Sequence, residues 1–164
     1  SDPTSRGDTR ATIIGWLAAV KPDETTLRRV LLPLLESDDV AVVSAACTAL
    51  GTAGGEWPVR ELTEFMKRRL AKDSNPASVS FAVGTALGEL RALSAIPTLI
   101  ALIRADDTYA TKYGLGYFAL EKLTGVRYDE SHDGAWWTAW WEKNKHRLPP
   151  EVARLEIPTI DLKR

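Results

Sequence analysis

Asp129, Ser131, Asp133 and Gly134, within "DESHDG", follow the D-x-S-x-D-G spacing that opens a calcium loop, in which alternating oxygens wrap a hard cation. Counted from Asp129, the twelfth position, where such a loop needs a bidentate carboxylate, is Trp140. The calcium pattern therefore fails at its decisive ligand, and Asp133 or Ser131 reads instead as the N-cap of the helix that follows. His132 and His146 are the only histidines, neither stands at a metal-ligand or triad spacing, and both are expected in solvent. Cys47 is the only cysteine; on an alanine-rich helix face it reads as a small buried thiol rather than a nucleophile. The acid pair Asp106-Asp107 reads as a capping signal. There is no glycine-rich phosphate loop, paired-cysteine motif or Gly-x-Ser-x-Gly elbow. No catalytic residue, metal or cofactor is expected.

The other candidate chemistry is aromatic. "DGAWWTAWWEKNK" places Trp136, Trp137, Trp140 and Trp141 within six positions. At about 100° per residue they fall at roughly 0°, 100°, 40° and 140°, all on one face of a helix. Each ring can bury about 150–250 Å², so four rings left in water would forfeit much stabilisation and invite aggregation. The expected role is a structural cap, with Trp136 and Trp141 at the margins keeping some ring exposed; the alternative is a platform for sugar or peptide. In "MKRRLAK", Lys67, Arg68, Arg69 and Lys72 form the densest basic run, and Glu61 and Glu64 precede them at spacings that predict ion pairs within the helix.

These residues must be positioned by a chain of 164 residues, a length suited to one packed domain. Hydrophobic residues make up 45% and charged residues 26%, which argues against wholesale disorder. A net charge of −1 supplies no global field for nucleic acid or an anionic membrane, so nucleic acid is not the expected partner. No apolar run reaches the ~18 residues of a membrane helix. The start "SDPTSRG", without methionine, fits a processed product or part of a longer chain, so the compartment is not readable from it.

Amphipathic segments with short breaks, and no period-2 strand pattern, predict an all-α class. "DTRATIIGWLAAV" reads as a helix capped by Asp8, with Ile13, Ile14, Trp16, Leu17 and Val20 on its apolar side. "ETTLRRVLLPLLES" follows, kinked or shortened by Pro33. Asp38 or Asp39 should cap "VAVVSAACTALGTAGG". "VRELTEFMKRRLAK", "NPASVSFAVGTALGEL", "SAIPTLIALIR" and "DDTYATKYGLGYFALEKLTG" continue the alternation up to the tryptophan helix, predicted over about 133–147. The expected layout is an N-terminal stretch 1–7 outside the fold, a single repeat domain over 8–147 and an extended tail over 148–164.

Internal repetition is the most informative pattern. "SDDVAVVSAACTALG", "SNPASVSFAVGTALG" and "DDTYATKYGLGYFALEKL" each begin at a capping residue and reach an Ala-Leu pair: Ala49-Leu50, Ala86-Leu87 and Ala119-Leu120. At these residues the chain resembles the HEAT repeat family: "SAIPTLIALIRADD" matches the first helix of a repeat, and "DDVAVVSAACTALG" matches the second. The segment "ALEKLTGVRYDESHDGAWWTAWWEKNK" resembles the C-terminal end of bacterial HEAT-type proteins that close on Leu-Thr-Gly, a loop and Trp-x-x-Trp-Trp.

The resemblance implies an α-solenoid of about three HEAT-like helix pairs, with an extra N-terminal helix and a tryptophan-rich capping helix. It also implies that the second helices line a concave surface that binds proteins or peptides. Carried over, the contact candidates are Ser44, Thr48, Phe81, Thr85, Lys112, Tyr117 and Phe118, with Phe81, Tyr117 and Phe118 the sharpest. The expected function is a noncatalytic scaffold. The rivals are a nucleic-acid enzyme of HEAT-like fold, of the DNA glycosylase type, which would need a basic groove, and a sugar or peptide binder using exposed tryptophans.

Overall fold

A computed structural model describes residues 22–72 and 77–163, together with Thr12, residues 14–17 and Val20. The stretch 1–7, the cap expected at Asp8, and the Asn75-Pro76 turn lie outside the described residues. Every regular element among the described residues is helical.

The helix ends follow local chemistry. In α1 (Glu24–Leu35), the Asp23 carboxylate accepts the Thr26 N–H at 3.0 Å, and Leu27, Leu31 and Leu35 supply a buried stripe at a spacing of four. Pro33 sits in the last turn and the helix stops two residues later, so the proline shortens it. Of the two cap candidates for α2 (Val40–Ala53), Asp39 serves, accepting from the Ala41 N–H at 2.9 Å. Gly54 and Gly55, at φ 77° and 83°, turn the chain into α3 (Glu56–Lys72). Pro58 lies in the first turn of α3, where no helical partner exists for its missing N–H. Next come α4 (Ala77–Glu89), a 3-10 turn over Leu93–Ala95, and α5 (Ile96–Ala105).

α6 (Tyr109–Leu115) runs into a π-helical turn over Gly116–Leu120 and then α7 (Glu121–Thr124), which Gly125 ends in the left-handed region at φ 75°. α8 (Gly134–Asn144) carries the tryptophans, and a 3-10 turn over Lys145–Arg147 follows it. The remainder, expected to be wholly extended, contains the short α9 (Pro150–Ala153) and then lays Ile157, Ile160 and Leu162 back against the core.

α1 packs on α2, α3 on α4 and α5 on α6, while α2, α4 and α6 lie side by side in a row. Small residues set that spacing. A Cβ added to Gly51 would stand 3.0 Å from the Ala86 Cα, one added to Gly84 would strike the backbone of Gly114, and Ser80 on α4 donates its hydroxyl to the Ala110 carbonyl at 3.1 Å. Larger side chains would push the row apart and break the contact continuity on which dispersion depends.

The opposite side is held by ions. Arg28 of α1 bridges Glu24 and Glu61, each at 2.8 Å, with its guanidinium 4.8 Å from the Trp57 ring centre. Arg68, at 2.9 Å, and Lys72, at 3.9 Å, reach Glu36 near the end of α1. The sequence predicted that Glu61 and Glu64 would pair with this basic run inside α3. Glu61 instead pairs with Arg28 of α1, because the residues three and four after it in its own helix, Glu64 and Phe65, carry no positive charge.

On the N-terminal segment Ile14 is buried, but Trp16 and Val20, assigned to the apolar side, are 66% and 58% exposed. The core therefore takes one edge of that face and leaves the other uncovered. No described helix is long and apolar enough to cross a membrane.

Candidate docking face around the tyrosine ladder

α6 begins at Thr108, whose hydroxyl accepts the Thr111 N–H at 3.4 Å. Before it stands Asp106, 3% exposed, whose carboxylate accepts from the hydroxyls of Thr108 at 2.9 Å and Thr111 at 2.5 Å. The acid pair read as a cap signal thus divides its work: Thr108 is the N-cap, Asp106 ties the end of α5 to the start of α6, and exposed Asp107 pairs with Lys112 at 3.4 Å.

On this anchored helix Tyr109, Tyr113 and Tyr117 recur every four residues. Their rings are parallel within 7° and 8°, with centroids 5.6 and 5.1 Å apart. Tyr109 and Tyr117 are 58% and 43% exposed, and Tyr113 is half-buried between them. An ideal helix advances about 40° over four residues, so a third parallel ring requires local correction. The π turn beginning at Gly116 lies where that correction is needed, and π turns mark functional sites often enough to draw attention to this one.

The turn also directs Phe118 onto α4, where its ring centroid lies 5.2 Å from that of Phe81. Gly116 leaves room for the Tyr128 ring, which would stand 3.3 Å from a Cβ there. Tyr128 stands edge-on to Tyr113 at 5.2 Å, and its N–H donates to the Glu121 carboxylate at 2.6 Å. Its hydroxyl is buried without a hydrogen-bond partner, and burial, followed by the nearby Tyr109, Glu130, Tyr113 and Asp129, pushes its phenol pKa up.

All seven contact candidates lie on α2, α4, α6 and the π turn. Ser44 is half-buried and Thr48 exposed on α2, and the Thr48 hydroxyl donates to the Ser44 carbonyl at 3.0 Å. On α4, Phe81 is half-buried and Thr85 exposed, its hydroxyl donating to the Phe81 carbonyl at 2.8 Å. Lys112 is half-buried beside Asp107. Thr85, Tyr117 and Phe118 converge on a groove of about 450 Å³, with Lys122 and Arg127 on its rim. Ser44 and Thr48 lie on the adjoining helix and do not line it. α2 carries no charged residue, and α4 carries only Glu89, which is salt-bridged to Lys122.

No protein-family model, curated protein or solved structure matches this chain. The site's geometry is the remaining guide to its chemistry.

Cys47 is fully buried, and burial pushes its thiol pKa up to about 12, away from nucleophilic use. The Asp129 carboxylate is occupied by the N–H and hydroxyl of Ser131, at 2.8 and 2.6 Å, which hold it below its usual pKa. Among the described residues no group of three or more histidine, cysteine or carboxylate side chains is placed to hold a metal.

Two sequence expectations about the tryptophan helix are corrected. Asp133 caps α8, accepting the Trp136 N–H at 2.8 Å, but Trp141, expected at an exposed margin, is 0% exposed and Trp137 is 1% exposed. The half-buried pair is Trp136 and Trp140. Gly134 explains the rotation: it presses against Arg104 of α5 so closely that a Cβ would clash with the Arg104 backbone. The inward line therefore runs through Gly134, Trp137 and Trp141, turning the centre of the four-ring face away from the core. His132, expected in solvent, is half-buried with its ring 3.5 Å from Trp136 and nearly parallel to it.

Tyr109, Tyr113 and Tyr128 were missed as site residues. The first two carried a usable signal, the four-residue spacing in "YATKYGLGY". Tyr128 carried none, since it joins from a loop.

Proposed function

We propose that this chain is a noncatalytic recognition module. In this reading α1/α2, α3/α4 and α5/α6 are HEAT-like pairs, α8 closes the array, and the second helices bind a protein or peptide. The observation that carries it is the tyrosine ladder: two exposed rings stacked on a third, on a row of helices that is almost without charge. Tyrosine supplies large contact area at low conformational cost and is enriched where interfaces concentrate their energy. The Thr48 and Thr85 hydroxyls donate back into their own helices, so this face presents little that must be desolvated at a cost.

A nucleic-acid enzyme would need cations on this face. Lys112 is paired with Asp107 and Lys122 with Glu89, and Arg68 and Lys72 of the basic run with Glu36, which leaves Arg127 as the one cation at the groove without an ion pair among the described residues, too little for a basic groove.

The test is site-specific photo-crosslinking in native extract, with a benzophenone side chain at Tyr117 or Thr85 and, as control, at exposed Lys67 on α3. The reading expects the same discrete polypeptide at the first two positions, absent from the third and lost when Tyr109 is replaced by alanine. Adducts indifferent to position, or none at Tyr117 and Thr85, would refute it.

A further inference from the structure

Trp136 and Trp140 are half-buried against the core, and with Ala139 and Asn144 they line a groove of about 500 Å³ rimmed by Lys143 and Arg147. No carboxylate lines it. Neither Lys143 nor Arg147 has an ion-pair partner among the described residues, whereas the neighbouring Lys145 is tied to Glu142 at 2.8 Å. Positive charge at a helix C-terminus offsets its carbonyl dipole. That accounts for the sign of these charges but not for the two indoles that line the groove beside them.

The parts have distinct capacities. One face of Trp136 is covered by His132, so this indole offers a platform rather than a slot. Asn144 donates its amide N–H to the Trp140 carbonyl at 2.8 Å, which leaves its side-chain oxygen free to accept a hydroxyl. Arg147 presents a planar fork suited to a carboxylate, and Lys143 a point charge. From Trp136 through the end of α8 and the 3-10 turn to Arg147 the chain advances about 18 Å, room for a short oligomer.

We propose that this groove binds an acidic oligosaccharide, a chain of sugars bearing carboxylates. The apolar face of one ring lies on Trp136 or Trp140, its hydroxyls meet Asn144, and its carboxylate meets Arg147 and Lys143. A single nucleic-acid strand is a poorer fit, because two cations do not track a backbone across the several nucleotides that such sites span. A membrane is poorer too, since rings recessed in a groove cannot enter the headgroup layer as a projecting aromatic belt does.

The experiment titrates the full chain with oligogalacturonate and with its methyl-esterified, uncharged counterpart, read by tryptophan fluorescence and calorimetry. The expected result is saturable binding of the acid form, at least about tenfold weaker for the ester, which corresponds to about 1.4 kcal/mol. Lys143→Ala with Arg147→Ala alters only exposed side chains; it is expected to keep the melting temperature while weakening binding by at least about tenfold. Trp140→Phe is expected to remove most of the fluorescence change. Lack of saturable binding by oligogalacturonate, equal affinity for the ester, or undiminished binding by the double variant would overturn the proposal. Tighter saturable binding of oligothymidylate or of phosphatidylserine vesicles would overturn it equally.

Discussion

Gly84 of α4 and Gly114 of α6 meet backbone to backbone: a Cβ on Gly84 would clash with the Gly114 carbonyl oxygen and stand 3.0 Å from the Phe118 Cβ. This crossing fixes the distance between α4 and the helix that carries the tyrosine ladder. Gly84→Ala is expected to destabilise the fold by about 1–3 kcal/mol through overpacking. Gly15, helical and with nothing within 4 Å of its added Cβ, is the control. Gly15→Ala is expected to be neutral or stabilising by up to about 1 kcal/mol. Denaturant unfolding of the two variants reads the difference, and equal midpoints would show that the crossing is not tight.

Asp106 and Thr111 are 3% and 0% exposed, and their contact of 2.5 Å joins α5 to α6. Thr111→Val conserves shape but removes a donor to a buried carboxylate. The expected loss is about 1–3 kcal/mol, measured by thermal unfolding near neutral pH. A variant as stable as the parent would remove this bond from the account of how α6 is held.

Trp137 and Trp141 are fully buried while Trp136 and Trp140 are half-buried, so substitutions along α8 should differ in cost. Trp137→Ala is expected to cost about 3–5 kcal/mol. Trp141→Phe should cost less than a cavity of its size suggests, because the Trp141 indole N–H is buried without a hydrogen-bond partner and phenylalanine removes that unmet donor. Urea midpoints of both variants give the comparison; a Trp141→Phe loss as large as that of Trp137→Ala would contradict it.

Cys47 couples the fold to alkaline pH. Its folded pKa of about 12 lies above the ordinary 9.0, because burial penalises the thiolate. The folded state therefore keeps its proton where the unfolded chain loses it. Any stability linked to Cys47 is constant below about pH 9 and falls as pH rises from 9.0 towards about 12. A Cys47→Ala variant should show a shallower decline across that window. In the folded parent the thiol should react with an aromatic disulfide only as fast as the protein opens; rapid labelling at pH 8 would show it accessible.

How much of this was legible depended on whether the signal was local. The caps were read to within a pair of residues, Asp38 or Asp39 and Asp133 or Ser131, because capping needs only an oxygen two or three residues before a free N–H; Asp39 and Asp133 fill the role. The all-α class followed from periodicity alone. The fate of Trp141 could not be read in the same way: four rings on one face define a stripe about 140° wide, and which edge turns inward depends on Gly134 finding the backbone of Arg104, 30 residues earlier. The pairing of Arg28 with Glu61 fails the same test, since the partner lies 33 residues away on another helix. Phe81, Tyr117 and Phe118 were singled out from repeat position, yet their ring contacts also depend on a π turn that leaves no trace beyond flanking glycines.

That turn has a consequence for length variation. A π turn accommodates one residue more than the α-helix around it, so residues 116–120 hold a spare amino acid within an otherwise uninterrupted rod. Excising one residue there would restore the simpler winding and leave the helix continuous. The segment downstream, from Glu121 through the loop to Tyr128, would keep close to its present direction, because the wide turn already absorbs the extra residue. A chain shortened in this way would keep its helical content and redirect only the rings that the turn itself carries, Tyr117 and Phe118, so one amino acid of length sets how those two join Tyr113 and Phe81.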